Sequence, residues 1–245
     1  MESIYQREFV IDDLVTDCFG KLKSACVLYF VQEMAGQHFD RMALTPNLEQ
    51  NNLIWVIIRH RLQVTRLPHK GETIRLETWP MPTTRTAYPR SVVAYDEEGR
   101  ELFRSISLWV LMDRSTRAMV LPGKSGIEVP GTVRGDELSA PGSLPPKELS
   151  QSRQRTVCFT DLDRNGHMNN TRYLDWIDDL LPSAFHQDHP VAEFTVCYLS
   201  EAREGDPMQL EWDTLEDGAL LVEGKRLSAA DGEKPSRIFA AKLSF

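Results

Sequence analysis

The chain has 245 residues, a formal net charge of −8, 41% hydrophobic and 26% charged side chains, a balance that fits a folded protein with a substantial core rather than a disordered one. The acidic surplus argues against nonspecific nucleic-acid binding, and an acidic partner would need a local basic patch. No apolar run reaches the roughly 18 to 20 residues that a membrane span needs. The stretch Met1–Glu8 has no basic start followed by an apolar core, and it is too acidic for a transit peptide, so a cytoplasmic location is expected. Cys18, Cys26, Cys158 and Cys197 are far apart with no CxxC pair, which points to buried free thiols rather than a zinc site or a disulfide framework.

In chain order, Phe9-Val10-Ile11 reads as a short strand. Ser24 to about Arg41 reads as a core helix with Ala25, Leu28, Tyr29, Gln32, Ala35, Gly36 and Phe39 along its inner side. Leu53 to Arg66 is rich in β-branched and apolar residues, and Ile74, Leu76 and Thr78 alternate with Arg75 and Glu77. Ser91–Tyr95 and Leu102–Met112 read as strands of a hairpin turned at Asp96-Glu97-Glu98-Gly99. From 121 to 153 prolines and glycines crowd together, which marks a linker between a first unit at 1–120 and a second at 154–245.

The pattern then begins again. Arg155–Phe159 reads as a strand, and a helix starting near Asn169 or Asn170 carries Tyr173, Trp176, Ile177, Leu180, Leu181, Ala184 and Phe185 on one face. Strands follow at Phe194–Ser200, at Met208-Leu210-Trp212, at Leu220–Leu227, and at the end, where Phe239, Ala241, Leu243 and Phe245 share a side after an Asp231-Gly232 turn. An offset of 144 lays Thr16-Asp17 on Thr160-Asp161 and Tyr29 on Tyr173, and an offset of 134 lays Gly71 on Gly205. In these registers Asp163, Asn165 and His167 face Phe19, Lys21 and Lys23, while Glu201 faces Leu67. Strand, long helix and antiparallel meander, twice over, predict an α+β fold of two units whose sheets wrap their helices in a pseudo-twofold arrangement.

The richest stretch is Thr160-Asp161-Leu162-Asp163-Arg164-Asn165-Gly166-His167-Met168-Asn169-Asn170. Asp163, Asn165 and His167 at i, i+2 and i+4 share one side of an extended segment. Taken singly, a histidine ahead of a helix reads as a cap and a strand glutamate as solvated. The pattern also touches an EF-hand loop at Asp161, Asp163, Asn165 and Gly166, but Arg172 stands where the bidentate Glu belongs. Gly123-Lys124-Ser125 lacks the earlier Walker glycine, Ala118 taking its place, and no G-x-S-x-G elbow occurs.

The run Asp161-Leu162-Asp163-x-Asn165-x-His167-x-Asn169-Asn170-x-x-Tyr173-x-x-Trp176 resembles the signature of the acyl-acyl-carrier-protein (acyl-ACP) thioesterases, and length, repeat and linker extend the resemblance over nearly the whole chain. The resemblance implies a double hotdog fold and hydrolysis of fatty acyl-ACP to free fatty acid, with Asp163, Asn165, His167 and Glu201 as the catalytic set and no metal or cofactor. Many plant members carry Cys directly after that Glu, where this chain has Ala202, and Cys197 is too far along a strand to replace it. With no plastid transit segment, the chain looks like a bacterial type. On this reading Glu201 and His167 activate a water, Asn165 positions water or thioester, Asp163 fixes the cluster by accepting hydrogen bonds, and N–H groups at the following helix start stabilise the oxyanion. The resemblance places the acyl chain in the first unit, with Leu28, Val31, Met34, Ala35, Trp55 and Ile57 as candidate lining. The implied partner is an acidic acyl carrier protein with a phosphopantetheine-linked chain, for which Arg59, Arg61, Arg66 and Lys70, or Lys21, Lys23 and Arg172, are candidate docking cations. An acyl-coenzyme A thioesterase and a non-catalytic acyl-chain binding module are the alternatives; a homodimer is left open.

Overall fold

A computed structural model of the chain describes residues 3–228 and 235–245. Two compact units divide it, Met1–Pro141 and Gly142–Phe245. The first runs β1 (Tyr5–Val10), α1 (Ser24–Arg41), α2 (Thr45–Gln50), β2 (Leu53–Val64), β3 (Thr73–Pro80), β4 (Tyr88–Tyr95), β5 (Glu101–Asp113), β6 (Met119–Val120) and α3 (Pro122–Ser125). Its antiparallel sheet has the order β1-β3-β4-β5-β2, with β6 also paired to β5. The alternation read from sequence decides which face turns inward: Ile74, Leu76 and Thr78 are all fully buried. The hairpin turn forms as expected, with Asp96 Oδ1 accepting the N–H groups of Glu98 and Arg100 and Gly99 at φ +79.

α1 packs against β1 and β3, with Ala25, Leu28, Ala35 and Phe39 buried as expected, but the inner face is rotated from the expected one. Tyr29 is 53% exposed, and Gly36 is exposed as well. The buried set also takes in Ser24, Val27, Phe30, Val31, Met34 and His38. The helix is apolar around most of its circumference, so periodicity under-determines its rotation and the sheet chooses it.

The segment from 121 onward is no loose tether. Ile127 and Val129 are buried in a cluster with Phe39, Leu48, Tyr88 and Leu111, and the Tyr88 hydroxyl lies 2.8 Å from Ser125 Oγ. Gly131 lies so close to Pro82 that a Cβ would overlap its backbone. Later, Lys147 N–H donates to Glu223 and Ser150 N–H to Asp213, so that part belongs to the second unit. Proline and glycine report the lack of regular hydrogen bonding, not the lack of contacts.

The second unit contains β7 (Gln151–Thr156), a 3₁₀ turn at Phe159–Asp161, α4 (Arg172–Asp178), α5 (Ser183–Asp188), β8 (Glu193–Tyr198), β9 (Pro207–Thr214), β10 (Leu220–Arg226) and β11 (Ser236–Ser244). Its antiparallel order, β8-β11-β10-β9-β7, repeats the first unit strand for strand. Phe159 is 77% exposed and lies beyond the strand rather than in it. The expected long second helix is short. Pro182, extended at ψ 152, ends it, so Ala184 and Phe185 fall on α5 and Ala184 is exposed. Tyr173 and Trp176 are buried as expected, and the Tyr173 ring meets Phe239 at 4.7 Å. The Asp231-Gly232 turn lies outside the described residues. Among the described residues no helix is long and apolar enough to cross a membrane.

Candidate active site

The stretch around His167 is a tight turn, not the extended segment that i, i+2, i+4 spacing suggests. Asp163 N–H donates to the His167 carbonyl at 2.8 Å, and Gly166, at φ +74, donates back to the Asp163 carbonyl at 3.0 Å. The Asp163 carboxylate closes the turn from inside: Oδ1 accepts Asn165 N–H at 2.8 Å and His167 N–H at 3.3 Å, and Oδ2 accepts the Asn165 amide at 3.3 Å. Aspartate suits this place because its short side chain reaches the N–H two residues on.

The turn is pinned to the chain after β8. Met168 N–H donates to the Ala202 carbonyl at 2.8 Å, and His167 bridges to Arg203. That register brings His167 Nε2 to 3.2 Å from Glu201 Oε2, with the two side chains 19% and 35% exposed. Arg203 Nη2 stands 3.9 Å from the same carboxylate oxygen. An imidazole and a carboxylate in hydrogen-bond contact, open to solvent yet anchored by backbone, form a pair able to take a proton from water.

The first unit holds the same turn. Asp17 Oδ1 accepts the N–H groups of Phe19 and Lys21, both at 2.9 Å; Asp17 N–H donates to Lys21 at 2.8 Å; Gly20 has φ +74. Lys21 bridges to His69 as His167 does to Arg203. The true offset is therefore 146 here, two more than the sequence register: Asp163, Asn165 and His167 correspond to Asp17, Phe19 and Lys21. The later offset of 134 holds, and Glu201 corresponds to Leu67. The carboxylate is thus common to both turns and shapes them. The amide, the imidazole and the glutamate belong to the second unit alone.

The models of the acyl-ACP thioesterase N-terminal and C-terminal domains match residues 2–121 and 145–238. The chain belongs to the acyl-ACP thioesterase family. It is 29% identical over 184 residues, 71% of its length, to the chloroplastic palmitoyl-acyl carrier protein thioesterase of Gossypium hirsutum, of which that match covers 45%. It is 26% identical over 84% of its length to a dodecanoyl-[acyl-carrier-protein] hydrolase of Cinnamomum camphora, covering 58% of that protein. The chain spans about half the length of these plant relatives. In fold it is similar to an acyl-ACP thioesterase of Bacteroides thetaiotaomicron, with TM-score 0.88 at 23% identity over 99% of this chain and 98% of that one. It is also similar to the 12:0-ACP thioesterase of Umbellularia californica, with TM-score 0.82 at 21% identity over 100% and 97%.

Within this family member, several sequence expectations change. The Asn165, Gly166, His167, Met168 and Asn169 N–H groups all donate within the protein, and α4 starts only at Arg172 and spans 7 residues. At the helix start, Thr171 N–H donates to Asn169 Oδ1, Arg172 N–H to the Asn169 carbonyl and Leu174 N–H to the Thr171 carbonyl. Asn169 does not cap α4, whose N-cap is Thr171 without a side-chain cap bond; its Oδ1 accepts Thr171 N–H at 3.0 Å in a turn ahead of the helix. Asn170 uses its carbonyl instead, accepting the Tyr198 hydroxyl at 3.1 Å. Burial pushes the Tyr173 and Tyr198 phenols above the ordinary range, so both stay neutral. Asp161 faces the core, bonded to Trp176 Nε1 at 3.2 Å and Cys158 N–H at 2.9 Å, so the first EF-hand position is spent.

Ala202 is fully buried, and Cys197, also buried, faces the Gly142 carbonyl at 3.6 Å, so neither position presents a thiol to His167. Cys18 and Cys158 are exposed, against the expectation of burial. Leu28, Val31, Met34, Ala35 and Ile57 are buried in the first unit's core, and half-buried Trp55 stacks on Phe39 at 4.8 Å. Of the candidate cations, Arg66 pairs with Glu72 at 2.8 Å, Lys70 with Asp13 at 2.6 Å and Arg172 with Asp175 at 2.8 Å. Arg59 and Arg61 donate to Pro141 and Ser139. Sequence reasoning missed Ala202 and Arg203 as the segment that sets the register; the only hint was their place directly after Glu201.

Proposed function

We propose that the chain hydrolyses the thioester of fatty acyl-acyl carrier protein, releasing free fatty acid, and that it is built as two hotdog units of which the second is catalytic. The observation that carries this reading is the His167–Glu201 contact at 3.2 Å, on a turn whose twin has Lys21 and Leu67 at the matching places. The pair takes a proton from water as the water oxygen adds to the thioester carbonyl carbon. The Asn165 amide, tethered to Asp163, donates to the carbonyl oxygen as charge builds there. Collapse breaks the C–S bond, and the thiolate of the carrier arm leaves with the proton the pair had taken. Water, acid and thiol balance without a metal or cofactor.

The test is a hydrolysis panel of acyl-carrier and acyl-coenzyme A thioesters from short to long chains. Turnover is expected on the carrier thioesters, and Glu201→Gln and His167→Ala should each lower kcat by about 10²–10⁴-fold with the melting temperature unchanged. Full activity in either variant removes that residue from the mechanism. Faster turnover of the coenzyme A thioesters would make that the substrate class, and binding of acyl chains without turnover would make the protein a binding module.

A further inference from the structure

The interior of the first unit contains a cation that none of the described residues neutralises. Arg90 on β4 is 1% exposed, and no carboxylate pairs with it among the described residues. Its Nη1 lies 3.1 Å from both His38 Nδ1 and Thr78 Oγ1, and its guanidinium covers the Phe39 ring at 4.4 Å. Nε and Nη2 have no acceptor among the described residues. Burial lowers its pKa to about 9, so the group stays charged at neutral pH. A buried charge is normally paired and hydrogen-bonded.

The two unused donors are the informative part. Nε–H and Nη2–H lie along one edge of the planar group and point in parallel, the fork that the two oxygens of a carboxylate match. The surroundings are apolar and aromatic. Phe39 stacks on Trp55 at 4.8 Å, and Trp55 meets Tyr88 edge-on at 4.8 Å. Trp55 Nε1 and Ser105 Oγ are buried and likewise have no hydrogen-bond partner among the described residues. An unsubstituted alkyl chain would leave every one of these groups unmet.

We propose that the Nε–Nη2 edge of Arg90 is a subsite for a carboxylate carried by an apolar chain. Its source is either a free fatty acid or the far end of an acyl chain that bears a second carboxylate. The choice of a fatty chain rests on the acyl-ACP reading; the carboxylate contact does not depend on turnover.

Calorimetric titration decides it, using straight-chain monocarboxylates and the primary alcohols of the same lengths. The acid is expected to bind about tenfold or more tighter than its alcohol, the ratio that one charge-assisted contact gives. Arg90→Met should abolish that ratio while still binding the alcohol. Arg90→Lys, which keeps the charge but not the fork, should retain only part of it, and His167→Ala should retain all of it. Equal binding of acid and alcohol, or an unchanged ratio in Arg90→Met, overturns the proposal; if Arg90→Met does not fold, an unchanged ratio in Arg90→Lys does so. A hydrolysis arm separates the sources: faster turnover of ω-carboxyacyl than of plain acyl thioesters assigns the subsite to substrate, and competitive inhibition by free acid without that preference assigns it to product. Acid binding through Arg90 in a protein that cleaves no thioester would sink the enzymatic reading and leave this one standing.

Discussion

Asp163 shows how the same side chain carries different weight in structure and in chemistry. It accepts two backbone N–H groups, and Asp17 does the same in the first unit. Losing such a carboxylate leaves turn donors unsatisfied, at a cost of about 1–2 kcal/mol. Asp17→Ala and Asp163→Ala should therefore lower stability alike in urea titrations, while only Asp163→Ala lowers kcat. Equal loss of activity in both would show that the turn matters to the fold alone. His60 makes a separate prediction. It is fully buried, and burial lowers its pKa from 6.5 to about 3. Between those values the unfolded chain takes up a proton that the native state refuses, so stability rises with pH across that window and is lost as pH falls from about 6.5 toward 3. Each unit is worth about 1.4 kcal/mol at most. Replacing His60 with Phe should flatten that limb in denaturant titrations at pH 4 to 7; an unchanged slope would mean the acid sensitivity lies elsewhere.

At the scale of elements, β10 and β11 show what alternation does not predict. Their register shifts between Gly224 and Lys225, and a Cβ at Gly224 would overlap the Phe239 ring. That ring is fully buried and packs on Tyr173 of α4. Gly224→Ala should cost about 1–3 kcal/mol by overpacking, read as a lower urea midpoint with the slope unchanged; wild-type stability would mean the ring moves aside freely. Strand existence was legible because Ile74, Leu76 and Thr78, or Met208, Leu210 and Trp212, alternate with polar residues. Helix extent was less so. The apolar spacing from Tyr173 to Phe185 runs straight through Pro182, and the proline wins because it offers the helix no N–H and disfavours helical geometry before it. Tyr29 and Gly36 were misplaced for the opposite reason: nothing in α1 marks a polar face clearly enough to fix its rotation.

Over the whole molecule, the sequence by itself determined the duplication, the class of each unit and the stretch that carries the candidate chemistry. Those are local properties, written in hydrophobic period and in the composition of a few neighbouring residues. What only the tertiary structure decided is register. A slip of two residues in the first repeat is invisible to composition, yet it decides whether Asp163 is particular to the second unit, as the His167–Glu201 pair is in either register. The turn hydrogen bonds at Asp17 and Asp163 settle it. The 3.2 Å contact of His167 with Glu201 and the burial of Arg90 with no carboxylate beside it among the described residues are likewise products of which strands pair and where. They depend on residues far apart in the chain, and no window of neighbours contains that information.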